Sequence, residues 1–199
     1  VAAHRPRRGA GRVLAVRCPG CGGLEDKVVD SRAADDGTSI AEWDNKTIFV
    51  LDTMTSAGRA AFHWAKGMNP TSKDPRRWYA AGQDSLKTML ELLTSPDWKC
   101  HVLVLSHIDL VERDDGTMKG YASSLGKALG PQIAKVFPTL IMAESKGTGD
   151  KVTRTIATRP TNLVDLKNPV PFAMEARYPL ETGMATIFKI LLADTVQGA

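Results

Sequence analysis

The chain has 199 residues, 43% hydrophobic and 24% charged, with a formal net charge of +4. This composition fits a globular protein with room for one domain and a full core, and it excludes an intrinsically disordered chain. No apolar run reaches the roughly 20 residues that a membrane helix needs. The Arg-rich start is not followed by the apolar stretch of a secretory signal.

The positive excess is uneven. Arg5, Arg7, Arg8, Arg12 and Arg17 all precede the first acid, Glu25. Such an arm suits a polyanion such as nucleic acid, or it is a solvated tail. Cys18 and Cys21 form the CxxC of "CPGCGG". That is half of a zinc ribbon, but zinc takes four ligands and no second CxxC follows. A glycine-rich turn is the favoured reading, with a zinc-assisted binding module as the rival. Three cysteines without an export signal point to a reducing compartment.

Within residues 1–39, "RVLAV" reads as a short strand and "AADDGTS" as a loop. Residues 40–199 carry sharper signals. "TIFVLD" is a short run of β-formers, expected to be a strand covered on both faces. "SAGRAAFHWAKGM" reads as a helix with Ala60, Ala61, Trp64 and Ala65 inward. "RRWYAAGQDSLKTMLELLT" reads as a long amphipathic helix burying Trp78, Leu86, Met89, Leu90 and Leu93. "HVLVLS" is a second buried strand and "ERDDGTMKG" a polar loop. "SSLGKALGPQIAKVF" is helical with an interruption at Gly130-Pro131. "TLIMAES" and "VTRTIATR" are strands of a hairpin through "KGTGD". A proline-rich extended piece and a last helix follow. The order predicts an α/β core with a parallel centre and an antiparallel edge.

In open α/β sheets, ligands bind beyond the carboxyl ends of the strands. Asp52 and Thr53 stand at one such end, Ser106 and His107 at another. If the two strands are neighbours, these residues face one crevice. A buried carboxylate needs a cation or donors. Magnesium held through water by Asp52 and by substrate phosphates satisfies it. The plainer alternative is that Asp52 caps the following helix. His107 then orients a water or senses a phosphate, or is a loop histidine bonded to backbone.

The segments "EWDNKTIFVLDTMTSAGRAAFHWAKGMNP", "DPRRWYAAGQDSLKTMLELLTS", "VLVLSHIDL", "KGYASSLGKALGPQIAKVFPT" and "TRTIATRPTNLVDLKNPVPFAMEARYPLETGMATIFK" occur in this order. Together they resemble the phage-encoded RecA-like P-loop ATPases, the "AAA domain" proteins of phage recombination and replication modules. The resemblance runs from about Ile40 to the end. It implies a RecA-like P-loop NTPase core, with a mostly parallel central sheet and a late antiparallel hairpin at its edge. It also implies ATP and Mg2+ as cofactors and the cytoplasm of a phage-infected bacterium as the setting. By resemblance Asp52 and His107 are catalytic, Asp52, Thr53 and Ser106 bind the cofactor, and Asp52 holds the metal through water. The family pattern has Asp-Ser where this chain has Asp52-Thr53, which keeps the hydroxyl.

The chain departs from that family in one large respect: no GxxxxGK[ST] loop occurs anywhere in it. "ESKGTGDKVT" is only superficially similar, because Lys151 does not follow a glycine. Two accounts stand open: a missing or scrambled gene start, or a degenerate member that no longer hydrolyses ATP. In RecA-like rings, basic residues of a late strand region reach a neighbour's nucleotide, which nominates Lys151, Arg154 and Lys167, with Lys146 and Arg159 nearby. A solvated hairpin face is the alternative. Lys119 and Lys127 flank "GYASSLG", read as a loop that meets single-stranded DNA with Tyr121 as a stacking platform, or as an ordinary surface loop. The expected partners are therefore single-stranded DNA and further copies in a homo-oligomer, with no membrane. The rival to the ATPase reading is a non-catalytic accessory protein that binds single-stranded DNA or forms oligomers.

Overall fold

The computed structural model describes residues 12–17, 43–97 and 99–197. The CxxC at Cys18 and Cys21, and the arm around Arg5 to Arg8, lie outside the described residues. The chain forms two compact units, one of residues 1–108 and 122–136, the other of residues 109–121 and 137–199.

The first unit is built on a three-stranded sheet in the order β1-β2-β3. Strand β1 is Arg12–Arg17, β2 is Thr47–Asp52 and β3 is His101–Leu105. β1 pairs antiparallel with β2, and β2 pairs parallel with β3. A parallel pair needs a crossover connection, and two helices supply it.

Helix α1 is Met54–Met68 and α2 is Pro75–Leu93. Each starts on a sequence cap. Thr53 Oγ1 accepts from the Ser56 amide at 3.2 Å, and Asp74 Oδ1 accepts from the Arg76 amide at 3.0 Å ahead of Pro75. α1 buries Met54, Gly58, Ala61 and Ala65. This narrow stripe differs from the expected one: Ala60 is exposed and Trp64 is 53% exposed. Small residues on the inner face let other backbone come close, so the bulky Trp64 stays outside. A Cβ on Gly58 would lie 3.0 Å from the Ser124 carbonyl carbon. α2 buries Leu86, Leu90 and Leu93 as its periodicity predicts, with Trp78 and Met89 only half-buried. The Trp78 indole donates to the Asn69 carbonyl at 3.0 Å, tying the interhelix loop to α2. The 123–129 segment leads into a short helix α3, Gly130–Val136. The Gly130-Pro131 pair therefore starts a helix instead of interrupting one, because proline is tolerated in a first turn.

Two further sheets follow. Strands β4, Ile108–Glu112, and β5, Met118–Ala122, form a two-stranded ribbon. Strands β6, Met142–Lys146, β7, Thr153–Ala157, and β8, Arg177–Pro179, form an antiparallel sheet in that order. Helix α4, Leu180–Gln197, packs on β7 and β8. A Cβ on Gly183 would lie 2.7 Å from Tyr178 Cβ, so this glycine sets how closely α4 approaches. Ile156, Met174, Tyr178 and Ile187 form the core of this unit.

The expected RecA-like core is contradicted. Among the described residues one strand pair is parallel, and no extended parallel sheet exists. The reason lies in the connections. Only the α1–α2 crossover can return the chain to a parallel register. After β3 the chain passes through two residues into the β4–β5 ribbon, and β6 to β8 pair with one another antiparallel. The late hairpin does form, with Lys146 opposite Thr153, but it belongs to its own sheet and not to the edge of a central one. β2 and β3 also keep half-exposed residues, unlike strands covered on both faces. Among the described residues, no helix is long and apolar enough to cross a membrane.

The β4–β5 turn carries a titratable support. Asp115 Oδ1 accepts from the Thr117 hydroxyl at 2.6 Å and the Thr117 amide at 2.9 Å. These bonds favour the carboxylate and hold Asp115 below the ordinary aspartate range. A lowered folded-state pKa stabilises the turn above the ordinary pKa, and that support is lost as pH falls through the folded value. Thr117→Val removes the side-chain donor, so the Asp115 titration followed by NMR should move up toward the ordinary range. An unmoved titration would mean the hydroxyl does not set it.

Candidate functional site

The parallel register aligns Asp52 with Leu105. The residues after them, Thr53 and Ser106, therefore leave adjacent strand ends. This brings Asp52, Thr53, Ser106 and His107 to one end of the β2–β3 pair, as the sequence predicts for neighbouring strands. The Asp52–Thr53 peptide is cis. Asp52 is exposed, contrary to the buried carboxylate expected, so water solvates it and burial creates no need for a cation; it has no ion-pair partner among the described residues. In register, Arg12 of β1 stands opposite it.

The hydroxyls at this end are already engaged. Thr53 caps α1. Ser106 Oγ lies 2.7 Å from the Ser123 carbonyl and 2.9 Å from the His107 carbonyl, and it donates to the nearer. Thr55 Oγ1 in the first turn of α1 approaches the same Ser123 carbonyl at 3.4 Å. The Ser123 amide donates to the His107 carbonyl at 2.7 Å, which prolongs the β4–β5 pairing. Gln83 of α2 donates to the Leu125 carbonyl at 2.8 Å. Residues 123–125 thus lie across the tip of β3 and the start of α1, held from three elements. Ser123 and Leu125 are buried.

Of "GYASSLG", expected as a loop, the first residues lie on β5 and residues 123–125 are held against other elements. Tyr121 is half-buried on β5, and its hydroxyl accepts from Arg113 at 3.5 Å. Lys119, on the same strand, is paired with Asp165 at 2.5 Å. Lys127 is exposed in the turn before α3 and belongs to the other unit. The late basic residues are open. Lys151 sits in a 3-10 turn, Arg154 lies on β7 opposite Ser145, and both are exposed. Lys167 is also exposed, with its backbone bridged to Leu140.

The strand tips suit a hydrated magnesium ion in one respect. Asp52 offers an open carboxylate beside a helix start, and one carboxylate with several retained waters is how magnesium is usually held. Two features limit the site. Among the described residues no group of three or more His, Cys, Asp or Glu converges to hold a metal directly. No glycine-rich turn among them leads from a strand of this sheet into a helix, so no row of backbone amides cradles a polyphosphate.

No family model, curated protein or solved structure matches the chain.

Sequence reasoning missed the role of Ser123, because its carbonyl acts through the backbone, which any residue carries. A signal existed in Gly58, a glycine inside a helical pattern, which marks a close backbone approach. Ser106→Ala removes the donor to the Ser123 carbonyl and should cost about 1 kcal/mol of stability in urea denaturation. His107→Ala, on an exposed side chain, should stay within about 0.5 kcal/mol of the parent. Equal effects would mean Ser106 does not hold the loop.

Proposed function

We propose that this chain is a nucleotide-binding protein of phage DNA recombination or replication, acting in the cytoplasm of the infected host. It engages magnesium-ATP weakly at the β2–β3 tips and turns it over negligibly. One observation carries the reading: the parallel register that gathers Asp52, Thr53, Ser106 and His107 at one strand end. The ordered likeness of five segments to phage ATPases gives the ligand class.

Each residue then has a stated task. Asp52 holds the metal through water. Thr53 fixes the start of α1, whose first amides favour negative charge. Ser106 keeps residues 123–125 in place across the tip of β3. His107 is exposed beside them and able to orient a water. Bound magnesium-ATP supplies an activated terminal phosphate. Without a phosphate-cradling loop among the described residues, little holds the rest of the polyphosphate, hence the weak affinity.

Calorimetry with ATP, with and without magnesium, tests this. Binding weaker than about 100 µM, dependent on magnesium, is expected. Asp52→Asn should abolish the magnesium dependence and leave the circular dichroism spectrum unchanged. Tight binding with steady phosphate release would contradict the reading, and so would an unfolded Asp52→Asn variant, which would make Asp52 a structural residue.

A second activity has its own support. The β6–β7 hairpin end carries Lys146, Lys151 and Arg154, all exposed, against one acid, Asp150. Such a cationic end suits the phosphates of single-stranded DNA. Fluorescence anisotropy with a labelled oligonucleotide should show affinity that falls steeply with salt. Lys151→Glu with Arg154→Glu should weaken binding and flatten the salt slope by about two ions. Unchanged binding in that double variant would remove the hairpin from the contact.

A further inference from the structure

The β4–β5 ribbon leaves one side of its main chain open. Its register follows from its two ends. At the turn, the Arg113 amide donates to the Thr117 carbonyl at 2.8 Å, and at the base the Ser123 amide donates to the His107 carbonyl at 2.7 Å. The offset is the same at both ends, so no bulge intervenes. Leu110 therefore stands opposite Gly120, and Glu112 opposite Met118. In an antiparallel pair, residues bonded to the partner strand alternate with residues whose amide and carbonyl aim away from it. His107 and Arg113 are of the first kind, so Ile108, Leu110 and Glu112 are of the second. Gly120 follows the same alternation: its amide leaves the far side of β5 and donates to the Leu163 carbonyl at 2.7 Å. β5 is thus covered on its outer edge. Among the described residues, nothing bonds the outward main chain of Leu110 or Glu112 on the β4 edge.

The side chains along this edge sort by face. Alternate residues point to opposite faces, and residues directly opposite across the ribbon share one. Ile108, Leu110 and Met118 fall on one face and are 42%, 54% and 44% exposed. Asp109 lies on the other face and is exposed. Glu112, Asp114 and Asp115 add exposed carboxylates toward the turn. The bases of the ribbon are engaged: Arg113 donates to the Tyr121 hydroxyl, and Lys119 is paired with Asp165. In a chain of net charge +4, this edge is acidic.

An open edge of this kind is a template for a further strand. A second copy of β4 is a poor occupant, because it sets Asp109 and Glu112 against like charges. Nucleic acid is repelled for the same reason. An extended peptide of alternating apolar and basic residues matches the edge in main chain, face and charge. Its backbone takes the outward amides and carbonyls, its apolar side chains lie beside Ile108 and Leu110, and its bases lie beside Asp109.

We propose that the β4 edge binds a basic, apolar-alternating segment of a partner protein by strand addition. This binding needs neither magnesium nor nucleotide.

The probe is a fluorescein-labelled, end-capped peptide of alternating valine and lysine, added to the intact chain. Fluorescence anisotropy should give a Kd between about 1 and 500 µM. A valine–glutamate peptide and a serine–lysine peptide of the same length should each bind at least roughly tenfold more weakly. Asp109→Lys with Glu112→Lys changes two exposed side chains, so the melting temperature should stay at the parent value while the valine–lysine peptide binds at least roughly tenfold more weakly. Amide hydrogen exchange in the unmutated chain reads the main chain directly: the Leu110 and Glu112 amides should slow at least roughly tenfold with the peptide bound. No binding up to about 1 mM would overturn the proposal. So would equal binding of the glutamate peptide, a double variant that binds like the parent, or binding that leaves those two amides unprotected, which is ionic attraction without strand addition.

Discussion

The parallel pairing of β2 with β3 is the constraint on which the first unit depends. Two parallel strands cannot be joined by a tight turn, so the chain must leave the sheet and return. The α1–α2 pair is that return path. It buries Leu86, Leu90 and Leu93 on one side and leaves Trp64 and Leu92 on the other. The same pairing sets the strand ends level, and so brings an acid and a histidine from distant parts of the chain to one place. Fold and candidate site thus follow from one register.

That end of the sheet is shaped by a competition for hydroxyls. Ser106 and Thr55 both face the Ser123 carbonyl, which is buried and must be satisfied. Once they serve it, they are not available to a ligand. Asp52 and His107 remain exposed and carry the open chemistry. Under the proposed reading this leaves water-mediated metal contact without a tight polyphosphate grip. In the second unit the balance differs. Its core is compact around Ile156 and Ile187, while the β4 edge and the basic hairpin end lie open. Both suit contact with other macromolecules.

Local signals carried much of the fold. The leucine stripe of α2 and the turn chemistry of "KGTGD" led to the elements observed, whereas the helix caps went unread: the structure caps α1 with Thr53, not with Asp52, and α2 with Asp74. The overall sheet did not follow, because strand order depends on which connections can span a crossover. "TLIMAES" and "VTRTIATR" look alike whether they edge a central sheet or form their own. The helix stripe was misjudged at Trp64, since apolar size alone suggests burial. Gly58 and Ala61 instead draw the neighbouring backbone in and push the indole out. Asp52 and His107 were legible as residues at strand ends. The loop that crosses between them was not, because its grip is a main-chain carbonyl. The open β4 edge was invisible for another reason: "ERDDGTMKG" reads as a polar loop, and only the folded ribbon reveals a strand left unpaired on one side.

The central claim is that a magnesium-nucleotide engages the β2–β3 tips. The most direct measurement is an amide NMR spectrum of the isotopically labelled chain titrated with ATP and manganese in place of magnesium. The paramagnetic ion broadens the amides nearest to it. The account predicts selective broadening at Thr53 to Ser56 and at Ser106 and His107. Broadening confined to the β6–β7 hairpin, or none at all, would contradict it.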